Sequence, residues 1–137
     1  MQSVILLTED EAAVRELAAF ILEREGFSVL QANGAAQALQ IFQRAERIDL
    51  LLSDIQMDGM NGIELAQKVL REQPETRILL MSGFPGYTSV VADHGFAFLP
   101  KPFSANALVA RVHAELIPLK SAGPEGLPKA KALKQCG

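Results

Sequence analysis

Leu50-Leu51-Leu52-Ser53-Asp54-Ile55-Gln56-Met57-Asp58-Gly59-Met60-Asn61-Gly62 starts as an apolar run and breaks off on acid and glycine. A short apolar run bounded by turn signals reads as a strand buried on both faces, as in a parallel sheet. Val4-Ile5-Leu6-Leu7 repeats the pattern and gives way to Thr8-Glu9-Asp10. In open α/β sheets, ligand sites lie just beyond the carboxyl ends of the strands. Set side by side, the two runs bring Glu9, Asp10 and Asp54 to one sheet edge. Carboxylates that close raise one another's pKa unless a cation lies between them. A hard divalent ion such as Mg2+ takes carboxylate and carbonyl oxygens and answers that charge.

Strand and helix patterns alternate outward from these two runs. Val4–Leu7 is followed by a helical stretch, Glu11–Glu25, with Val14, Leu17, Ala18 and Ile21 at three- and four-residue spacing. Gly26 stands where a helix C-cap belongs. Phe27–Leu30, Ile48–Ser53, Arg77–Met81 and Phe96–Leu99 read as further strands. Ala35–Ala45, Ile63–Glu72 and Ala105–Ile117 read as further helices, the last capped by Ser104. Between Gly83 and Gly95, proline, glycine and β-branched residues predict only one or two helical turns. Strict βα alternation implies a parallel sheet with helices on both faces and right-handed crossovers.

The chain has 137 residues, 49% hydrophobic and 21% charged, which suits one domain with a substantial core. Residues 1–118 hold that domain. Residues 119–137 read as a flexible basic tail broken by Gly123-Pro124 and Gly126-Leu127-Pro128. The net charge of −3 gives no electrostatic reason to bind nucleic acid or an anionic membrane. The single cysteine, Cys136, excludes a disulfide framework and a thiolate metal site. No apolar stretch is long enough to span a bilayer, and a cytoplasmic protein is expected. His94 and His113 lack a second ligand at metal spacing and read as ordinary surface or packing residues.

More residues fall on the acidic edge once the strands are aligned. Ser82 follows the fourth strand, Lys101-Pro102 follows the fifth, Phe98 lies within the fifth, and Gln56 is two residues past Asp54. In this combination the chain resembles a bacterial two-component response-regulator receiver domain, of the single-domain chemotaxis-regulator kind. The resemblance spans about residues 3–117. It rests on Glu9-Asp10, the loop Asp54 to Gly62, Leu80-Met81-Ser82-Gly83 and Lys101-Pro102-Phe103, in order.

The resemblance implies a flavodoxin-like doubly wound sheet of five parallel strands in the order 2-1-3-4-5. It implies that Asp54 accepts a phosphoryl group from a sensor histidine kinase or a histidine phosphotransfer protein. Carboxylates are known covalent nucleophiles, and in-line transfer needs mainly positioning and charge neutralisation. Mg2+ would be held by Asp10, Asp54 and the Gln56 backbone carbonyl, with Glu9 acting through a water or from just behind. Lys101 and Ser82 would contact the phosphoryl oxygens. Phe98 matches the aromatic that turns inward on activation, and Lys101-Pro102 matches a cis peptide bond. The repacked surface would include Phe84, Tyr87, Val90, Val91 and Arg111 and would bind a downstream protein not named by the sequence. By itself the domain is not expected to be an enzyme.

Departures from the family pattern are local. Asp58 stands where proline is usual, Glu9 replaces the commoner aspartate, and Ser82 stands where threonine is frequent. The stretch from Ser82 to Lys101 is short, so the fourth helix is expected to be trimmed. Two variants of the same reading fit: an independent receiver, favoured by the start at Met1, and the receiver module of a hybrid kinase. A phosphorylation-independent interaction module is the alternative, opposed by the intact Asp10, Asp54, Ser82 and Lys101. A Mg2+-dependent hydrolase of the haloacid dehalogenase type wants a second aspartate two residues after Asp54, where Gln56 stands.

Overall fold

Alternation along the strands decides which side chain meets which layer. In the computed structural model, which describes residues 2–121, the strands are β1 Val4–Thr8, β2 Ser28–Ala32, β3 Leu50–Asp54, β4 Arg77–Ser82 and β5 Ala97–Pro100. They form one parallel sheet in the order β2-β1-β3-β4-β5. The helices are α1 Ala12–Arg24, α2 Ala35–Arg44, α3 Gly62–Glu72, α4 Thr88–Asp93 and α5 Ala105–Ser121. No described helix is long and apolar enough to cross a membrane.

Ile5, Leu7, Leu50, Leu52, Leu79 and Met81 pack with α1 and α5 on one face. Leu6, Leu51 and Leu80 pack with α2, α3 and α4 on the other. All five residues of β3 are buried, which explains its unbroken apolar run. Fully burying one such leucine contributes about 1.5–3 kcal/mol, so the central strands anchor the site rigidly.

Two expected helix faces shift. On α1 the buried residues are Ala18, Ala19 and Leu22, while Leu17 is 59% exposed. Ala18 and Ile21 of the expected face do pack on the core, while Ala19 and Leu22 join them in place of Leu17. On α4 Val91 is fully buried, so it belongs to the core and not to the surface set. The trimmed fourth helix is present as a 3-10 turn over Pro85–Tyr87 followed by the six residues of α4. α5 continues past Ile117 to Ser121. The rest of the expected basic tail, Cys136 included, lies outside the described residues.

Candidate functional site

Register brings the chemistry together. Thr8 pairs with Ser53, Asp54 with Met81, and Ser82 with Pro100, so the carboxyl ends of four strands are level. The ladder extends just past the strands. Glu9 N donates to Ala32 O at 3.1 Å, Ile55 N to Met81 O at 2.9 Å and Lys101 N to Ser82 O at 2.9 Å. Glu9, Asp54 and Lys101 share the alternation of Leu7, Leu52 and Leu99, all on the α1/α5 face. Three polar side chains thereby continue an apolar layer where it reaches the sheet edge.

Lys101 Nζ lies 2.6 Å from Glu9 Oε1 and 3.4 Å from Asp54 Oδ2. Glu9 is 1% exposed and Asp54 6% exposed, so this is a buried ionic cluster. Burial pushes the Glu9 carboxyl above its ordinary pKa, with the Lys101 hydrogen bond opposing that rise. Burial likewise raises Asp54, while the Lys101 charge pulls it back down. For Lys101, burial works against the charged form, but its bonds to Glu9 and Asp54 outweigh it and hold the ammonium above its ordinary pKa. One cation therefore incompletely balances the buried acids.

Asp10 is exposed at the rim. It does not cap α1: the cap residue is Glu11, without a side-chain cap bond. Instead one oxygen each from Glu9, Asp10 and Asp54 lie within 4.8 Å of one another. Such an all-oxygen anionic set fits a hard divalent cation. Asp10, Gln56, Asp58, Asn61 and Tyr87 line a polar hollow beside it.

Ser82 is buried, and its Oγ accepts from Phe84 N at 2.9 Å and donates to Gln56 Oε1 at 3.5 Å. Phe98, opposite Leu80, is partly buried against the other core face. The Lys101–Pro102 peptide bond is cis. Gly62 opens α3 directly beneath the site. A Cβ there would run into the Asp54 carbonyl oxygen and Ile55 Cα, so only glycine lets the helix approach this closely. An Asn61–Glu64 capping box fixes that helix end, Asn61 Oδ1 accepting from Glu64 N at 2.9 Å and Glu64 Oε1 from Asn61 N at 3.0 Å.

Sequence reasoning missed Arg15, whose Nη1 donates to the Glu9 carbonyl at 2.9 Å and braces the acidic turn. Its position one turn before Ala18 and Ala19 on α1 was the available signal. His113 lies 3.8 Å from Glu25 Oε1 and packs on Phe27, and His94 Nδ1 lies 3.2 Å from Val90 O. Neither histidine joins the metal-compatible acidic group.

A doubly wound parallel sheet in the order 2-1-3-4-5, with an acidic group and a lysine at its carboxyl edge, defines a flavodoxin-like domain with its ligand site at that edge. The response regulator receiver domain family matches residues 5–113, and this chain belongs to that family. The transcriptional regulatory protein CpxR of Escherichia coli is 36% identical over 115 residues, covering 82% of this chain and 48% of CpxR. The sensor kinase CckA of Brucella abortus is 32% identical over 114 residues, covering 80% of this chain and 12% of that kinase. The chain thus spans less than half the length of these relatives. Among solved structures, the receiver domain of hybrid histidine kinase CckA superposes with a TM-score of 0.72 at 36% identity, covering 83% of this chain and 99% of that one. Response regulator protein TrrA of Thermotoga maritima, solved in complex with Mg(2+)-BeF, gives a TM-score of 0.77 at 28% identity, covering 84% and 100%.

Proposed function

We propose that this chain is the phosphoacceptor signalling domain of a two-component system, with Asp54 the accepting residue. The observation that carries this reading is the placement of Asp54 Oδ2 3.4 Å from Lys101 Nζ, within a carboxylate group fit for a divalent cation. A Asp54 carboxylate oxygen attacks the phosphorus of a donor phosphohistidine. The new O–P bond forms as the N–P bond breaks, and the imidazole leaves with the electron pair. Lys101 neutralises charge on the transferred oxygens. The Ser82 hydroxyl gives up its Gln56 contact and donates to one of those oxygens. Asp10, Asp54 and the Gln56 backbone carbonyl would hold Mg2+, with Glu9 acting through a water or from just behind. When bound there, the ion would supply positive charge to offset the developing negative charge on the phosphoryl oxygens.

Relay to a partner follows from added charge at the sheet edge. Phe98 and the surface around Phe84, Tyr87, Val90 and Arg111 repack when Ser82 moves. Phe84 is 56% and Val90 41% exposed, leaving apolar contact area for a downstream protein. The phosphodonor is a sensor histidine kinase or a histidine phosphotransfer protein, met by this domain in the cytoplasm. Beside Lys101, a hollow of about 490 Å³ lined by Val14, Leu17, Pro102 and Phe103 offers it an apolar footing. One domain, closed by α5, carries this activity.

The test is intact-mass analysis after incubation with Mg2+ and a small acyl or amide phosphodonor. One added phosphoryl group in the wild type and none in Asp54→Asn is expected. No gain, or a gain untouched by the substitution, sinks the reading.

A further inference from the structure

Asn33-Gly34 and Asn61-Gly62 repeat one dipeptide at two places in the chain. A short asparagine side chain reaches the backbone of its neighbour, and a glycine there has no Cβ to block the approach. The glycine nitrogen can then attack the side-chain carbonyl carbon, Cγ. A new C–N bond closes a cyclic succinimide as the bond from Cγ to the side-chain nitrogen breaks. Ammonia leaves, taking the proton that the glycine nitrogen gives up. Water opens the ring at either carbonyl, giving aspartate or isoaspartate. Water enters and ammonia leaves, and no oxidant or cofactor is needed.

The fold treats the two pairs differently. Asn61 Oδ1 accepts from Glu64 N at 2.9 Å, and Asn61 N donates to Glu64 Oε1 at 3.0 Å. Gly62 N donates to Ile55 O at 2.9 Å. Both reacting groups are held there, the amide by the capping box and the nitrogen by the phosphoacceptor loop. Asn33 lies in the link between β2 and α2 and is exposed. Its backbone N–H donates to Gln37 Oε1 at 2.7 Å. Among the described residues, neither its side-chain amide nor the Gly34 N–H has a hydrogen-bond partner. Gly34 has extended backbone, φ 176°, and a Cβ there would meet nothing within 4 Å. At this pair the nucleophile and the carbonyl are both unrestrained and open to water.

We infer that Asn33 is a site of spontaneous deamidation in the folded protein, and that the fold protects Asn61 although the same residue follows it. Position gives the modification a consequence. Asn33 directly follows Ala32, whose carbonyl oxygen accepts from Glu9 N at 3.1 Å. Either product adds a carboxylate at the carboxyl end of β2, beside the acidic turn, and isoaspartate also lengthens the main chain where α2 begins. The chemistry is independent of phosphoryl transfer to Asp54.

The test is to age the whole chain in warm, mildly alkaline buffer, both native and in guanidinium chloride. Peptide mass spectrometry follows the amide-to-acid mass gain at each asparagine. In the unfolded chain the two pairs are expected to convert at similar rates. In the native protein Asn33 is expected to convert about tenfold or more faster than Asn61, where two hydrogen bonds must break first. Gly34→Ala has room for its methyl and is expected to slow conversion at Asn33 by a similar factor while leaving Asn61 unchanged. Equal native rates at the two positions, faster conversion at Asn61, or an Asn33 that stays intact in the folded protein would overturn the proposal. So would an unchanged rate at Asn33 in Gly34→Ala. Should that variant fail to fold, the wild-type comparison of native with unfolded chain decides alone.

Discussion

Asp54 is disfavoured as a buried anion and only partly compensated by Lys101, so its charge is a cost to the metal-free fold. Replacing it with asparagine removes the charge while keeping the shape. Asp54→Asn is expected to raise the urea midpoint in EDTA, by about 1 kcal/mol of stability. A lower midpoint for the variant would contradict a repulsive cluster. Thr8 poses a different residue-scale problem. Its hydroxyl is buried and, among the described side chains, is the buried polar group without a hydrogen-bond partner. A buried orphan polar group costs about 1–3 kcal/mol, so Thr8→Val, which keeps the shape, is expected to stabilise by about 1 kcal/mol. Thermal melts of the two proteins check it, and a lower Tm for valine would reveal a partner that the hydroxyl does have.

At the scale of elements, α3 carries the phosphoacceptor loop. Two substitutions at its start separate helix stability from site geometry. Asn61→Ala breaks the capping box and is expected to cost about 1 kcal/mol with phosphoryl uptake retained. Gly62→Ala drives a methyl into the Asp54 carbonyl and is expected to cost about 1–3 kcal/mol and to slow Asp54 labelling as well. Equal labelling rates in the two variants would deny Gly62 that role. The helix over Ile63–Glu72 is legible in the sequence, whereas the Asn61–Glu64 capping box and the helical place of Gly62 emerge from the structure. The face of α1 is less legible: of Val14, Leu17, Ala18 and Ile21, Ala18 and Ile21 meet the core, but Ala19 and Leu22 lie there in place of Leu17. Small alanines mark close packing against a sheet, whereas hydrophobicity alone pointed to the larger Leu17. Val91 is misplaced for a related reason, since six residues are too few to show a face.

Across the whole molecule, level strand ends turn separate motifs into one site, and that was readable because β1, β3 and β4 break off on Thr8, Asp54 and Ser82 and Lys101 follows β5. The partition of Lys101 between Glu9 and Asp54 was not, because it depends on reach across the sheet and not on spacing along the chain. The same cluster sets a pH dependence. Burial raises both Glu9 and Asp54, so between the ordinary and raised carboxyl pKa values the native state holds protons that the unfolded chain has released. Their contribution to stability is full below the ordinary carboxyl value and is lost as pH rises through the raised one. In EDTA, the advantage of Asp54→Asn over the wild type is therefore expected to be small in acid and to grow towards neutral pH, as urea midpoints across that range will show. A gap that shrinks as pH rises would reverse the sign. The central claim, that Asp54 takes the phosphoryl group, is tested most directly by mapping it. Borohydride reduction of the phosphorylated protein converts an aspartyl phosphate to homoserine, which peptide mass spectrometry locates. Homoserine at position 54 alone is the predicted result; homoserine at another acid, or a phosphoryl group retained on a histidine or hydroxyl side chain, would contradict the account.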